Sequence, residues 1–191
     1  MSKFLAADAK VLGEFRPYLL MLARLQIDIC LQAKLDASDV VQLTLLEAHQ
    51  SLAQFRGTSS SEMASWLRQI LARNLSDELS KFKTKKRNIT RETSLNAEID
   101  ESSLRLERWL EAEERTPCDN AIASEQLIRL AVALLTLPED QRRAVELHHL
   151  QGWRSADVAV YMEKTEESVA GLLRRGLRKL REQMQEKEGK R

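Results

Sequence analysis

Apolar positions recur at helical spacing through most of this chain, and the places where the recurrence stops divide it. Phe15, Tyr18, Leu19, Leu22, Leu25 and Ile29 share one face of a helix expected over about 11–33, with Pro17 suited to its first turn. Val40, Val41, Leu45 and Ala48 line the inner face of a second helix that runs to about Phe55, and Asp36 or Ser38 can cap it. A third helix, over about 62–85, turns Met63, Trp66, Leu67, Ile70, Leu71, Leu75 and Leu79 to one side. Between the second and the third, Phe55-Arg-Gly-Thr-Ser-Ser-Ser61 reads as a loop, a glycine followed by small hydroxylated residues. Three helices with that much apolar surface are enough to close a core.

From Asn88 to Ala123 the pattern fades into polar and acidic residues, with Leu104, Leu106, Trp109 and Leu110 as the clustered apolar positions. This stretch reads as a linker with one short amphipathic helix. Helical spacing returns over 125–135 and 139–150, separated by Thr136-Leu-Pro138, where Pro138 suits a helix start. A short helix over 155–162 then places Val158, Ala159 and Met162 inward. The last helix carries Val169, Leu172, Leu173, Gly176, Leu177 and Leu180 as its small or apolar stripe. The rest of its arc holds Arg174, Arg175, Arg178, Lys179 and Arg181. Thr165 is placed to cap it, and Glu166 and Glu167 sit at its positive dipole end. A helix–turn–helix with this polarity can lay its second helix into a DNA major groove; an ordinary helical hairpin with a solvated face has the same pattern. The sum is an all-α chain of two helical domains, a three-helix bundle over 8–88 and a four-helix domain over 124–185, joined by an acidic linker over 89–123.

Charge sharpens this division. The chain has 191 residues, with 30 basic and 29 acidic side chains and a net charge of +1, but the signs are sorted. Lys81 to Arg91 is basic without an acidic residue, Glu92 to Glu125 is acidic, and the chain turns basic again from Arg174. A polyanion feels patches rather than totals, so the near-zero sum does not argue against nucleic acid. Cys30 and Cys118 are far apart in sequence and lack a Cys-x-x-Cys or His/Cys context, which points to two reduced thiols. His148 and His149 lack a third ligand and read as ordinary helix residues, so neither a metal nor another cofactor is expected. The absence of a glycine-rich phosphate loop and of a spaced nucleophile–base pair gives an enzyme little support. Neither a signal pattern nor an apolar run near the ~20 residues of a membrane span is present, so a soluble, cytoplasmic chain is expected.

The motifs together resemble a known family. Asp39-Val-Val-Gln42, then Phe55-Arg-Gly57, Trp66-Leu67 and Ala72-Arg-Asn74, are similar to region 2 of the sigma-70 family. Leu137-Pro-Glu-Asp-Gln-Arg-Arg143, Gly152, Ala156-Asp-Val-Ala159 and Val169 to Leu180 are similar to region 4. The two-domain form resembles the extracytoplasmic-function type, and the likeness runs from about Val11 to Met184. What it implies is a dissociable RNA polymerase subunit, not an enzyme. It binds core polymerase through the largest-subunit coiled coil and the flap, directs initiation at particular promoters, and is often held by an anti-sigma partner.

The resemblance also assigns residues. Asp39 and Gln42 match the surface that docks on the polymerase coiled coil, and their offset of three places both on one helical face. A capping aspartate and a solvated glutamine would look the same. Leu43 and Leu46 either widen that surface or belong to the core. Arg56, Thr58, Ser59, Ser60 and Ser61 match the part that holds flipped −10 bases, and Asn74, Lys81, Lys83, Lys85, Lys86 and Arg87 can follow the phosphates. Trp66 fits core packing better than base stacking, and Phe82 is the more plausible nucleic-acid aromatic. For the −35 element, Thr165, Glu166, Glu167, Ser168, Ala170, Gly171, Arg174, Arg175 and Arg178 lie on the recognition helix or its cap, with Arg142 and Arg143 as phosphate contacts or a solvated face. Ala170-Gly-Leu172 stands where the family more often has Lys-Ser-Arg. The linker is expected to avoid DNA, and Trp109 and Leu110 can act as an adhesive patch between the domains. A free-standing helix–turn–helix regulator of duplex operators is the alternative reading.

Overall fold

The computed structural model describes residues 10–27, 35–81, 95–105, 108 and 120–188. Among these the secondary structure is helical throughout, and the chain divides into two compact units, Met1–Ile128 and Arg129–Arg191.

In the first unit, α1 (Arg16–Gln26) begins with Pro17 in its first turn, where a missing N–H costs nothing. It buries Tyr18 to Ala23 and Leu25. α2 (Ala37–Ser51) is capped by Asp36, whose carboxylate accepts the Ser38 N–H at 2.8 Å. α3 (Ser60–Ser80) starts two residues earlier than its apolar pattern suggests, because Ser59 and Glu62 form a reciprocal capping box. Leu19, Met21 and Leu22 from α1, Val41 from α2, and Leu67, Leu71, Leu75 and Leu79 from α3 make the core. Ile29 and the end expected for the first helix lie outside the described residues.

Two positions differ from the pattern. Leu45 is only half-buried, while Thr44 is fully buried beside Val40, Val41 and Ala48. The inner face of α2 is therefore rotated toward a hydroxyl. That hydroxyl donates to the Val40 carbonyl at 2.8 Å and accepts from Asn74 Nδ2 at 3.2 Å, so its burial leaves no unmet bond.

Part of the expected linker is also corrected. Residues 95–105 form a helix, α4, that belongs to the first unit. Its buried side is Leu95, Ile99, Ser102 and Ser103, whereas Leu104 is exposed. Leu106, Trp109 and Leu110, and with them the proposed adhesive patch, lie outside the described residues.

The second unit is built on α5 (Asn120–Leu135), within which the division falls, α6 (Glu139–Val145), α7 (Ser155–Tyr161) and α8 (Glu166–Glu188). Pro138 precedes α6 as its cap residue. The helix expected to continue to Leu150 widens instead into a π-helical stretch over Glu146–Leu150, with the Gln151 N–H bonded to the Glu146 carbonyl at 3.0 Å. Gly152, at φ 74°, then reverses the chain in a conformation that suits glycine. Leu130, Leu134, Ala144, Val158, Val169 and Leu180 form the core. Gly176 lets α8 approach α6 closely, since a Cβ there would stand 3.0 Å from Val145 Cγ2.

Candidate nucleic-acid interface

α7, a tight turn and α8 form the helix–turn–helix. α7 ends in a Schellman arrangement: the Glu163 N–H bonds the Val160 carbonyl at 3.2 Å and the Lys164 N–H bonds the Ala159 carbonyl at 2.9 Å. Glu163 occupies the left-handed position, φ 53°, where glycine is the usual choice. Lys164 pairs with Asp140 at 3.2 Å and so ties the turn to α6. The Thr165 hydroxyl accepts the Ser168 N–H at 3.2 Å and opens α8 as its sequence position suggests. The Glu167 carboxyl sits below the ordinary glutamate range, held there by its own backbone N–H and the Thr165 hydroxyl.

α8 divides cleanly. Val169, Leu172, Leu173, Gly176 and Leu180 are buried, and Leu177 is half-buried. Thr165, Glu166, Glu167, Ser168, Ala170, Arg174, Arg175 and Arg178 face water, with Gly171 half-exposed among them. Arg175 folds back along the helix over Gly171, its guanidinium 3.2 Å from where a Cβ would stand. Arg178 lies 3.7 Å from Glu182, a loose surface pairing that leaves it mostly exposed. The arc that can enter a groove thus begins with two carboxylates and small side chains and ends in arginines.

Arg142 and Arg143 are a correction. Both are expected to reach phosphate or water, but their side chains are only 14% and 19% exposed. Arg142 pairs with Glu139 and lies 3.6 Å from the carboxylate of Glu146, which is buried. Arg143 lies 3.9 Å from that same carboxylate, donates to the Tyr161 hydroxyl and stacks 5.4 Å from the Tyr161 ring centre. Tyr161 in turn meets Trp153 edge-to-face at 5.3 Å. Through Tyr161, Arg143 holds α6 to the helix–turn–helix, while Arg142 pairs within its own helix and the π-helical stretch that follows. His148 bonds the Trp153 carbonyl at 2.8 Å through Nδ1, and burial next to His148 lowers the pKa of His149. Among the described residues no cluster of His, Cys, Asp and Glu is arranged to hold a metal.

In the first unit, Asp39, Gln42, Leu43 and Leu46 are all exposed along one side of α2. Leu43 is 43% and Leu46 54% exposed, so neither belongs to the core. Arg56, Thr58, Ser60 and Ser61 are exposed around the start of α3. Ser59 is half-buried and its hydroxyl is engaged in the capping box, which takes it out of the expected pocket wall. Gly57 is required by close approach: a Cβ would stand 2.3 Å from the Phe55 ring. Phe55 packs on Trp66 at 5.1 Å, so Trp66 serves packing. Asn74 is a second correction; it is 6% exposed and donates to Thr44, which leaves it unable to follow a phosphate chain. Lys81 is exposed and pairs with Glu78 at 2.6 Å. Phe82, Lys83, Lys85, Lys86 and Arg87 lie outside the described residues.

The second unit is thus a helix–turn–helix whose outer arc runs from two carboxylates to exposed arginines, a form able to enter a DNA groove. Residues 127–180 match the family model described as Sigma-70, region 4, and this likeness supports a place for the chain among sigma-70 proteins. A comparison with curated proteins gives no match. Among the described residues no helix is long and apolar enough to cross a membrane.

Proposed function

We propose that this chain is a sigma factor of the extracytoplasmic-function type, a cytoplasmic subunit that binds core RNA polymerase and directs it to particular promoters. The second unit lays α8 into the −35 major groove. The first docks on polymerase through α2 and holds −10 DNA near the start of α3. The observation that carries the reading beyond a DNA-binding module is the side of α2 where Leu43 and Leu46 stand exposed beside Asp39 and Gln42. Two large apolar side chains in water next to a carboxylate and an amide make a compact docking patch, apolar for affinity and polar for orientation. Catalysis plays no part in this reading, and a bound anti-sigma partner would cover the same patch.

The test is competition with another sigma factor for core polymerase. The wild type is expected to compete, and Leu43→Lys with Leu46→Lys to lose competition while keeping its helical content and its melting temperature. Failure of the folded wild type to bind core polymerase would end the reading. The family match covers residues 127–180, and a second reading that needs only this part of the chain is a free-standing regulator. That reading requires tight, specific gel shifts on duplex DNA without polymerase.

A further inference from the structure

The line of α8 that faces away from its buried stripe is Glu167, Gly171, Arg174 and Arg178, which recur at helical spacing. Three of these carry charge, and Gly171 is the gap between them. α8 has no cationic side chain before Arg174, so the turns that lead into a groove hold none of their own. Arg175 fills the gap from one turn further on. Its side chain runs back toward the start of the helix, the direction that helical side chains favour. Its Nη1, Cζ and Nη2 stand 3.2, 3.7 and 3.7 Å from where a Gly171 Cβ would be, which lays the guanidinium across the bare backbone of Gly171. The lean carries the charge about one turn, roughly 5 Å, toward the end at which a recognition helix meets base edges. Arg178 lies 3.7 Å from Glu182, whereas Arg175 has no carboxylate partner among the described residues, so its donors stay open.

We propose that Arg175 is the specificity-determining residue of α8, reading a guanine in the major groove, and that Gly171 is the positioning residue that gives its guanidinium a seat. This rests on α8 entering duplex DNA, which both readings given above share. A guanidinium offers two parallel N–H donors, and guanine alone presents two acceptors, N7 and O6, on its major-groove edge. Adenine offers an acceptor beside a donor, thymine an acceptor beside a methyl group, and cytosine a donor. A large side chain at 171 takes the seat and turns the guanidinium aside, to phosphate or to water. Arg174 and Arg178 keep the attraction to the duplex whichever base is present.

The probe is a pool of duplexes with a run of randomised base pairs, offered to the full chain alone and bound to core polymerase. The wild type is expected to enrich guanine at one position. Arg175→Ala is expected to lose that preference about tenfold and keep its preferences elsewhere. Arg175→Lys is expected to lose most of it too, while the salt dependence of binding stays as in the wild type, because the charge remains and the fork does not. Gly171→Leu replaces glycine by a better helix former, so the melting temperature is expected to hold or rise while the same guanine preference falls about tenfold. Combined with Arg175→Ala it is expected to add no further loss at that position. Should Gly171→Leu bind no duplex, Gly171→Ala decides: a partial loss of the guanine preference supports the seat, and an unchanged preference overturns it. An Arg175→Ala variant that binds every duplex less tightly with its preferences intact makes Arg175 a phosphate contact and overturns the proposal. Full guanine preference in Gly171→Leu overturns the role of Gly171. A folded wild type that enriches no sequence in either setting overturns DNA reading by α8 instead, and the proposal with it.

Discussion

Two pairs of neighbouring arginines in the second unit have opposite fates. Arg142 and Arg143 on α6 are turned inward against Glu146 and Tyr161, while Arg174 and Arg175 on α8 are exposed. The residue type is the same and the sequence spacing is the same. What differs is the chemistry opposite. Opposite α6 stand a tyrosine hydroxyl that accepts from Arg143 and a buried carboxylate 3.6 and 3.9 Å from the two guanidinia. α8 presents its arginines to water, on the side away from the buried Val169, Leu172 and Leu173. Arginine pairs thus read as DNA contacts only where no internal acceptor has claimed them.

Glu146 is the residue on which the inward pair depends most. Replacing it with Gln removes the buried negative charge that two guanidinia share, and the unit is expected to lose about 3 kcal/mol of stability, the low end for breaking a buried pair. Thermal denaturation measures it. An unchanged melting temperature would show that Arg142 and Arg143 are free after all.

The outward pair predicts the complementary result. Arg174→Ala and Arg175→Ala should leave the melting temperature in place and weaken binding to −35 duplex by about 1–2 kcal/mol each. A phosphate contact at either position should also lower the salt slope by about one, and a base contact should relax sequence preference instead. Gly171→Ala is a gentler probe of the same arc, because the new methyl would stand 3.2 Å from the Arg175 guanidinium, which must give by a few tenths of an ångström.

The turn between α7 and α8 allows a change that stabilises without touching DNA. Glu163 holds a left-handed conformation that costs a non-glycine residue about 1 kcal/mol, and its side chain is exposed. Glu163→Gly should recover about that amount in chemical denaturation and leave duplex affinity within error. A loss of stability would mean that the Glu163 side chain makes a contact worth more than the strain.

How far the sequence reveals this structure follows from the kind of contact involved. The stripe of α8 and the inner residues of α1 are legible because apolar burial repeats with the helix period. The exposed side of α2 is legible only through resemblance, since Leu43 and Leu46 taken alone look like core. Asn74 and Arg142 are misread for one reason: a buried polar group looks like a surface group until its partner is known, and the partners Thr44 and Glu146 are polar as well. α4 is hidden in the same way, because serines, an aspartate and a distant arginine form much of its seat. Periodicity detects burial by grease and misses burial by satisfied hydrogen bonds.

The smallest expected effect sits at the start of α8, where Glu167 sets a negative charge ahead of the arginines that follow. Its folded pKa is depressed by its own backbone N–H and by Thr165, so the stability it contributes is fully present above the ordinary glutamate range. That contribution is lost as pH falls through the folded value. Glu167→Gln keeps an oxygen that can accept the same hydrogen bonds and removes only the charge. The melting temperatures of wild type and variant should therefore differ near neutral pH and converge on acidification, the wild type losing its small advantage from the helix dipole. On DNA the sign depends on what Glu167 faces. If Glu167 faces a phosphate, the variant binds every duplex more tightly, and if it accepts from a cytosine amine, the variant binds its own site less well. A gap in melting temperature that stays constant across the acid range would show that the carboxylate acts by packing rather than by charge.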